Sequence, residues 1–278
     1  MKKHTDTIEP TISDGKPVGE KPATMTIRAT VHERLLRKAD RLFTGSLEGR
    51  IAEMLQNARR AGATRVDIVN RDGFVEVHDN GKGIEDFSTL LDMGKSGWDA
   101  DTEASEDPAG VGLFCLSPRK LVIRSRGRLA VIEGDGWMGA SVDVRLDNEP
   151  IEATLLRFED QPWSAEAVEE QAVFSGLHVS VDGKECRRVS FVSDAATHWE
   201  SLGCRIEVVP ETELTRHHQR CVRSGYSRNN VLVNFHGQVV NFVYRPIEEG
   251  ELTYLVDLTA EATNIRLMLP ARTCTGSA

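Results

Sequence analysis

The sequence predicts a mixed α/β chain of two domains, and three observations predict it. Residues 47–61 place Leu47, Ile51, Met54, Leu55 and Ala58 on one stripe at the helical period. Short runs rich in Val, Ile and Leu follow, the first two joined by Asp72-Gly73, a step suited to a hairpin. The chain has 278 residues, against about 150 for a typical domain, and beyond residue 186 its pattern turns almost wholly to strands.

Composition narrows the class. Hydrophobic residues make up 40% and charged residues 28%, as in ordinary globular proteins with a buried core. No run approaches the roughly 18 apolar residues of a membrane span, and the opening MKKHTDTIEP lacks the apolar stretch of a secretory signal. The expectation is therefore a protein without a membrane partner. Lys+Arg 34 against Asp+Glu 43 gives a net charge of −9, which does not indicate a nucleic-acid binder. The 5 cysteines (Cys115, Cys186, Cys204, Cys221, Cys274) are odd in number and form no C-x-x-C pair. That argues against a disulfide framework or zinc site and fits a cytoplasmic location.

Taken in order, residues 1–25 read as a polar tail carrying Pro10, Pro17 and Pro22. Val31, Leu35, Leu36, Ala39 and Leu42 then recur at helical spacing. Ser46 is an N-cap for the helix at 47–61, and Gly62 ends it. Strands are expected at 65–69 and 73–78, a helical piece around Phe87, Leu90 and Leu91, and an acidic loop over 94–112. A short helix at 111–116 precedes strands at 120–125, 129–133, 141–146 and 153–158, then a helix at 165–174 and a hairpin at Asp182-Gly183. These elements place the first domain at 26–185. Strands at 205–209, 231–235, 239–244 and 252–258 make up the second, at 186–278, and its abrupt stop after Leu269-Pro270 leaves an incomplete domain as one expectation.

Three short patterns carry chemistry. Glu53 and Asn57 are four apart on the helix and so neighbours on one face, expected to lie away from the apolar stripe. An Asn carbonyl oxygen suits a hard cation such as Mg²⁺, and a carboxylate one turn earlier can orient and deprotonate water; two solvated helix residues are the plainer alternative. Asp79-Asn80-Gly81-Lys82-Gly83-Ile84 follows a strand. Its glycines allow close backbone approach, and its carboxylate can accept from an amino group such as that of adenine; a simple Asn-Gly turn is the alternative. Gly110-Val111-Gly112-Leu113 opens a helix, where free N–H groups suit phosphate, as at many loop-to-helix junctions.

Together, in this order, the three patterns make residues 50–127 resemble the GHKL ATPases, the superfamily of gyrase B, Hsp90, histidine kinases and MutL. The match is Glu53-x-x-x-Asn57 with Ala61-Gly62-Ala63-Thr64, then Asp79 to Ile84, then Gly110-Val111-Gly112, and it is nearest the MutL-like and gyrase-like branch. The resemblance implies a two-layer α/β (α+β) sandwich, the Bergerat fold, with a mixed, mostly antiparallel sheet and a smaller strand-rich second domain. It implies ATP and Mg²⁺ as cofactors: Asn57 as the Mg²⁺ ligand, Glu53 as the catalytic residue that activates water, and Asp79 as the acceptor of the adenine amino group. Gly81, Gly83 and Ile84 belong to the nucleotide loop, the latter two lining the base pocket. Gly110, Val111, Gly112 and Leu113 would cradle the phosphates, residues 94–109 would form a lid, and Thr154 matches a threonine-bearing strand near adenine.

Two positions depart from the family pattern. Arg60 stands where the family often has Asp, and the second-domain lysine that reaches the γ-phosphate has no counterpart, since the chain has no Lys after Lys184. An arginine, the lid residue Lys95, a missing C-terminal segment or no equivalent remain as substitutes. Glu53 favours the hydrolysing branch over the histidine kinases. The function implied is slow ATP hydrolysis, with lid closure coupled to an unknown protein client or to an ATP-dependent homodimer. The alternatives are a non-hydrolysing ATP switch and a histidine-kinase-like phosphotransferase.

Other patterns are decoys. Gly94-Lys95-Ser96 is not a Walker A end, because Thr89 stands where Gly is required. Gly134-Asp135-Gly136-Trp137-Met138-Gly139 fits G-x-G-x-x-G but is followed by strand-like alternation. Residues 214–230, with Arg216, Arg220, Arg223, Arg228, His217 and His218, read as a solvated basic loop, with a phosphate or nucleic-acid patch as the alternative.

Overall fold

Alternating apolar residues and three tight turns build the larger of two sheets. In the computed structural model the described residues are 46–92, 97, 98, 100, 102, 112–222, 230–241, 252–259 and 262. The expected tail, the helix from Val31 and most of the acidic loop lie outside them. The strands are β1 (Arg65–Arg71), β2 (Phe74–Asp79), β3 (Leu121–Ser125), β4 (Arg128–Ile132), β5 (Val144–Leu146), β6 (Thr154–Glu159), β7 (His178–Val181) and β8 (Lys184–Glu185), in the spatial order β5-β4-β3-β6-β2-β1-β7-β8. Every neighbouring pair is antiparallel except β1 and β7. The β1–β2, β3–β4 and β7–β8 hairpins each turn on two residues with positive φ, Asp72-Gly73, Arg126-Gly127 and Asp182-Gly183. That turn matches the twist of the flanking strands.

One face of this sheet is apolar. Val66, Ile68, Val75, Val77, Leu121, Ile123, Ile132, Phe158, Val179 and Val181 alternate inward and are buried. Helix α1 (Leu47–Arg60) covers them with Ile51, Met54, Leu55 and Ala58, and α2 (Ala165–Ala172) adds Val168 and Ala172. Each of the larger side chains contributes about 1.5–3 kcal/mol on burial. The Ser46 hydroxyl caps α1 by accepting from the Gly49 amide at 3.1 Å, and Gly62, at φ 72°, ends it. Arg50 turns inward too: it pairs with Asp160 at 2.9 Å, each side chain 7% exposed, and the Trp163 indole N–H donates to the same carboxylate.

A second sheet holds β9 (Thr197–Trp199), β10 (Cys204–Pro210), β11 (Val231–Phe235), β12 (Gln238–Asn241) and β13 (Leu252–Leu258), ordered β12-β11-β13-β10-β9, with β11 and β13 parallel. Leu232 and Leu255 on one face pack with Phe174, Phe191, Leu214 and Val222. The stretch expected as a solvated basic loop is instead helical at its start, as α3 (Arg216–Val222). Its His218 is buried and stacks on Phe174 at 4.8 Å, because an aromatic pocket between α2 and the second sheet takes the ring. The chain is thus an α+β protein with mixed sheets and few helices. Among the described residues no helix is long and apolar enough to cross a membrane.

Candidate functional site

The strand alternation that builds the core also places polar residues at its margin. On β2 the inward positions are Val75, Val77 and Asp79; on β6 they are Phe158, Leu156 and Thr154; on β3 they are Leu121, Ile123 and Ser125. The last members pair in register, Asp79 with Thr154 and Thr154 with Ser125. Asp79, Thr154 and Ser125 therefore form a polar row on the helix-bearing face, where the apolar rows stop. The Thr154 side chain faces the Asp79 carboxyl across the ladder.

Burial pushes the Asp79 carboxyl above the usual carboxylate range, while the Gly81 amide, His78 and Thr154 pull it back. The Gly81 N–H donates to Asp79 Oδ1 at 2.8 Å. A methyl group on Gly81 would lie 2.7 Å from both the Cβ and the carbonyl oxygen of Ala61, and the Lys82 amide donates to that carbonyl at 2.9 Å. Asn80 is the stitch between the two segments: its Oδ1 accepts from the Thr64 and Arg65 amides, each at 2.9 Å, and its Nδ2 donates to Thr64 Oγ1. The loop after β2 is in this way fastened to the end of α1.

Ser125 holds the other end of the loop. Its buried hydroxyl accepts from the Ile84 amide and donates to the Ala153 carbonyl, both at 2.8 Å. Gly83, at φ 77°, packs so closely that a Cβ would meet Glu152 O at 2.4 Å and Ser125 Oγ at 2.8 Å. Only glycine fits there. Ile84 is half-buried against the core, and the Arg126 guanidinium donates to the Lys82 carbonyl at 3.2 Å.

Glu53 differs from its expected setting. Away from the Ile51-Met54-Leu55-Ala58 stripe of α1, Glu53 is nonetheless only 7% exposed. Its carboxylate lies against Gly112: a Cβ built there would sit 2.1 Å from Glu53 Oε1. Asn57, one turn on, is half-buried. Gly112 and Leu113 begin a 3₁₀ turn, Gly112–Leu116, whose Phe114, Cys115 and Leu116 anchor it in the core. Helix α1 therefore meets the glycine pattern at Glu53 and the Asp79 loop at Ala61, two contacts about 12 Å apart along its axis. Gly110, Val111 and Lys95 lie outside the described residues.

Glu53, Asn57, Asp79, Gly81, Gly83, Ile84, Gly112, Leu113 and Thr154 thus belong to one assembly around α1 and the end of the sheet. Sequence reasoning passed over Ser125 and the clamp made by Asn80. A serine at the third inward position after Leu121 and Ile123 was the available signal. Two shallow depressions, one lined by Arg124, Leu146 and Glu149 and the other by Phe74, Arg119 and Asp160, include none of these site residues.

No family model matches the chain, and no curated protein matches it. A crystal structure of the N-terminal domain of a DNA repair protein aligns with 82% of this chain and 87% of its own, at 13% identity and a TM-score of 0.43.

Proposed function

We propose that this chain binds Mg-ATP in the manner of the GHKL ATPases, on a Bergerat-type layer of α1, the loop after β2 and the sheet end, and hydrolyses it slowly. The observation that carries the reading is the pairing of two acidic centres on one assembly. Glu53 is held against Gly112, and Asp79 is held by Gly81 and faces Thr154. In this reading Asp79, whose carboxylate also accepts from the Gly81 amide, takes the exocyclic amino group of adenine. Gly81 and Gly83 let the loop pack closely on Ala61, Glu152 and Ser125, which sets the wall against which the base would lie. Asn57 offers an amide oxygen to Mg²⁺, a cation that prefers oxygen ligands and shares them with phosphates. Bound Mg²⁺ would supply charge neutralisation of the phosphates. Glu53 orients the attacking water, so the chemistry rests on positioning.

The test is ATP binding and steady-state phosphate release by wild type, Asp79→Asn, Glu53→Ala and Asn57→Ala. Expected are lost affinity in Asp79→Asn and retained binding without turnover in Glu53→Ala. Unchanged ATP affinity in Asp79→Asn would overturn the adenine assignment. A second reading, a non-hydrolysing ATP-dependent switch, is favoured by Arg60, which stands one turn from Asn57 where the family often has Asp. ATP binding by wild type without phosphate release would select it.

A further inference from the structure

The second sheet touches the helix that carries Glu53 and Asn57. At the tip of the β11–β12 hairpin the Gln238 side-chain amide donates to the Ala52 carbonyl at 2.9 Å. Ala52 directly precedes Glu53 within α1. Its carbonyl also serves the helix ladder, and a carbonyl has lone pairs for two donors.

The hairpin tip is tight and wedged. Phe235 pairs with Gln238, so only His236 and Gly237 make the turn, with φ 48° and 92°. This is the two-residue turn with both φ positive that matches strand twist. A Cβ on Gly237 would stand 2.8 Å from Ser175 Cα and 3.3 Å from its carbonyl oxygen. Ser175 lies in the turn after α2, where its hydroxyl donates to the Ala172 carbonyl at 2.7 Å and accepts from the Leu177 amide at 3.2 Å. The tip is therefore fixed between the backbone of α1 and the exit of α2.

We propose that Gln238 is a positioning residue: through the Ala52 carbonyl it sets the placement of α1, and with it Glu53 and Asn57, from the second sheet. A bond to a helix carbonyl moves the helix as a unit, because the backbone ladder transmits the shift to the following turn. A displacement of the β11–β12 hairpin therefore reaches the Glu53–Asn57 face directly. The kinetic consequence rests on the ATPase reading; the mechanical one does not.

The experiment compares the full chain with Gln238→Met, which keeps length without a donor, and with Gln238→Lys, which keeps a donor of similar reach. Hydrogen exchange of the α1 amides is measured without nucleotide, alongside that of β11 and β13 as a control on the fold. The kcat and KM for Mg-ATP are measured on the same samples. Gln238→Met is expected to exchange about fivefold faster in α1, the effect of one lost hydrogen bond, with β11 and β13 unchanged. Its kcat is expected to fall with ATP affinity retained, and Gln238→Lys is expected to restore both. Unchanged α1 exchange in Gln238→Met, or no restoration by Gln238→Lys, overturns the proposal. A wild-type chain that neither binds nor hydrolyses ATP overturns the ATPase reading instead, and the exchange comparison still decides the role of Gln238.

Discussion

Asp79 and Thr154 face one another in register across the β2–β6 ladder, and the threonine hydroxyl pulls down the pKa of the half-buried carboxyl. The Gly81 amide completes the cradle at 2.8 Å. A carboxylate at the end of an apolar row would ordinarily point to water. Here the sheet turns it to the helix side, where the Gly81 donor holds it ready to accept.

The first prediction concerns pH. Burial raises the Asp79 pKa in the folded state above its unfolded value. Its contribution to stability is therefore full below the unfolded pKa and is lost as pH rises through the folded pKa. Asp79→Asn should consequently gain thermal stability relative to wild type near pH 7 and lose that advantage as the pH falls through the carboxylate range. Melting curves of both proteins across about pH 3–8 check the sign.

Gly112→Ala tests the contact with Glu53. The added methyl would need the space of the carboxyl, at 2.1 Å from Oε1. The variant is expected to lose at least about tenfold in phosphate release, equivalent to about 1.4 kcal/mol in the barrier. Single-turnover rates at saturating Mg-ATP measure it; a wild-type rate would show that Glu53 has room to move.

Ser125→Ala leaves the Ile84 amide and the Ala153 carbonyl without their shared partner. The expected cost is about 1–3 kcal/mol of folding stability. Urea midpoints at constant slope report it. A loss confined to a few tenths would mean water replaces the hydroxyl.

His218 carries a prediction about acid stability. Burial holds its imidazole below the ordinary pKa, with Phe174 and Phe191 around the ring and Thr215 Oγ1 at 3.0 Å from Nδ1. A depressed folded pKa means that stability is retained above the unfolded value, near 6.5, and declines as pH falls through it, because the unfolded ring gains its proton first. His218→Phe should flatten the decline in melting temperature between about pH 7.5 and 5. Differential scanning across that range decides it.

Much of this organisation was legible in single residues. The Ile51-Met54-Leu55-Ala58 spacing identified α1 and its buried side, and Asp72-Gly73 and Asp182-Gly183 marked two hairpins. The turns at Arg126-Gly127 and His236-Gly237 have the same backbone, yet Arg and His give little local signal for positive φ. Glu53 was legible as a chemical candidate but not as a buried one, since the helix period says nothing of what packs from elsewhere, here Gly112. Asp79 and Thr154 are both legible in their local motifs, whereas Ser125 is placed only by register, which is a long-range property. The helix α3 escaped notice because its burial depends on Phe174 and Phe191, contributed from outside its own sequence.

The strand order carries a consequence for how the chain acquires its shape. Strand β2 has β1 as an immediate neighbour in the chain, but its other partner is β6, and Asp79 meets Thr154 across a sequence separation of 75. The parallel β1–β7 pair closes an even longer excursion, from Arg65 to His178. Such non-local pairings are slow because loop closure precedes any reward. During synthesis the Asp79 loop is therefore made long before the strand that completes its cradle. A nascent chain halted before residue 154 should carry the β1–β2 hairpin with an open sheet edge, exposed to premature partners.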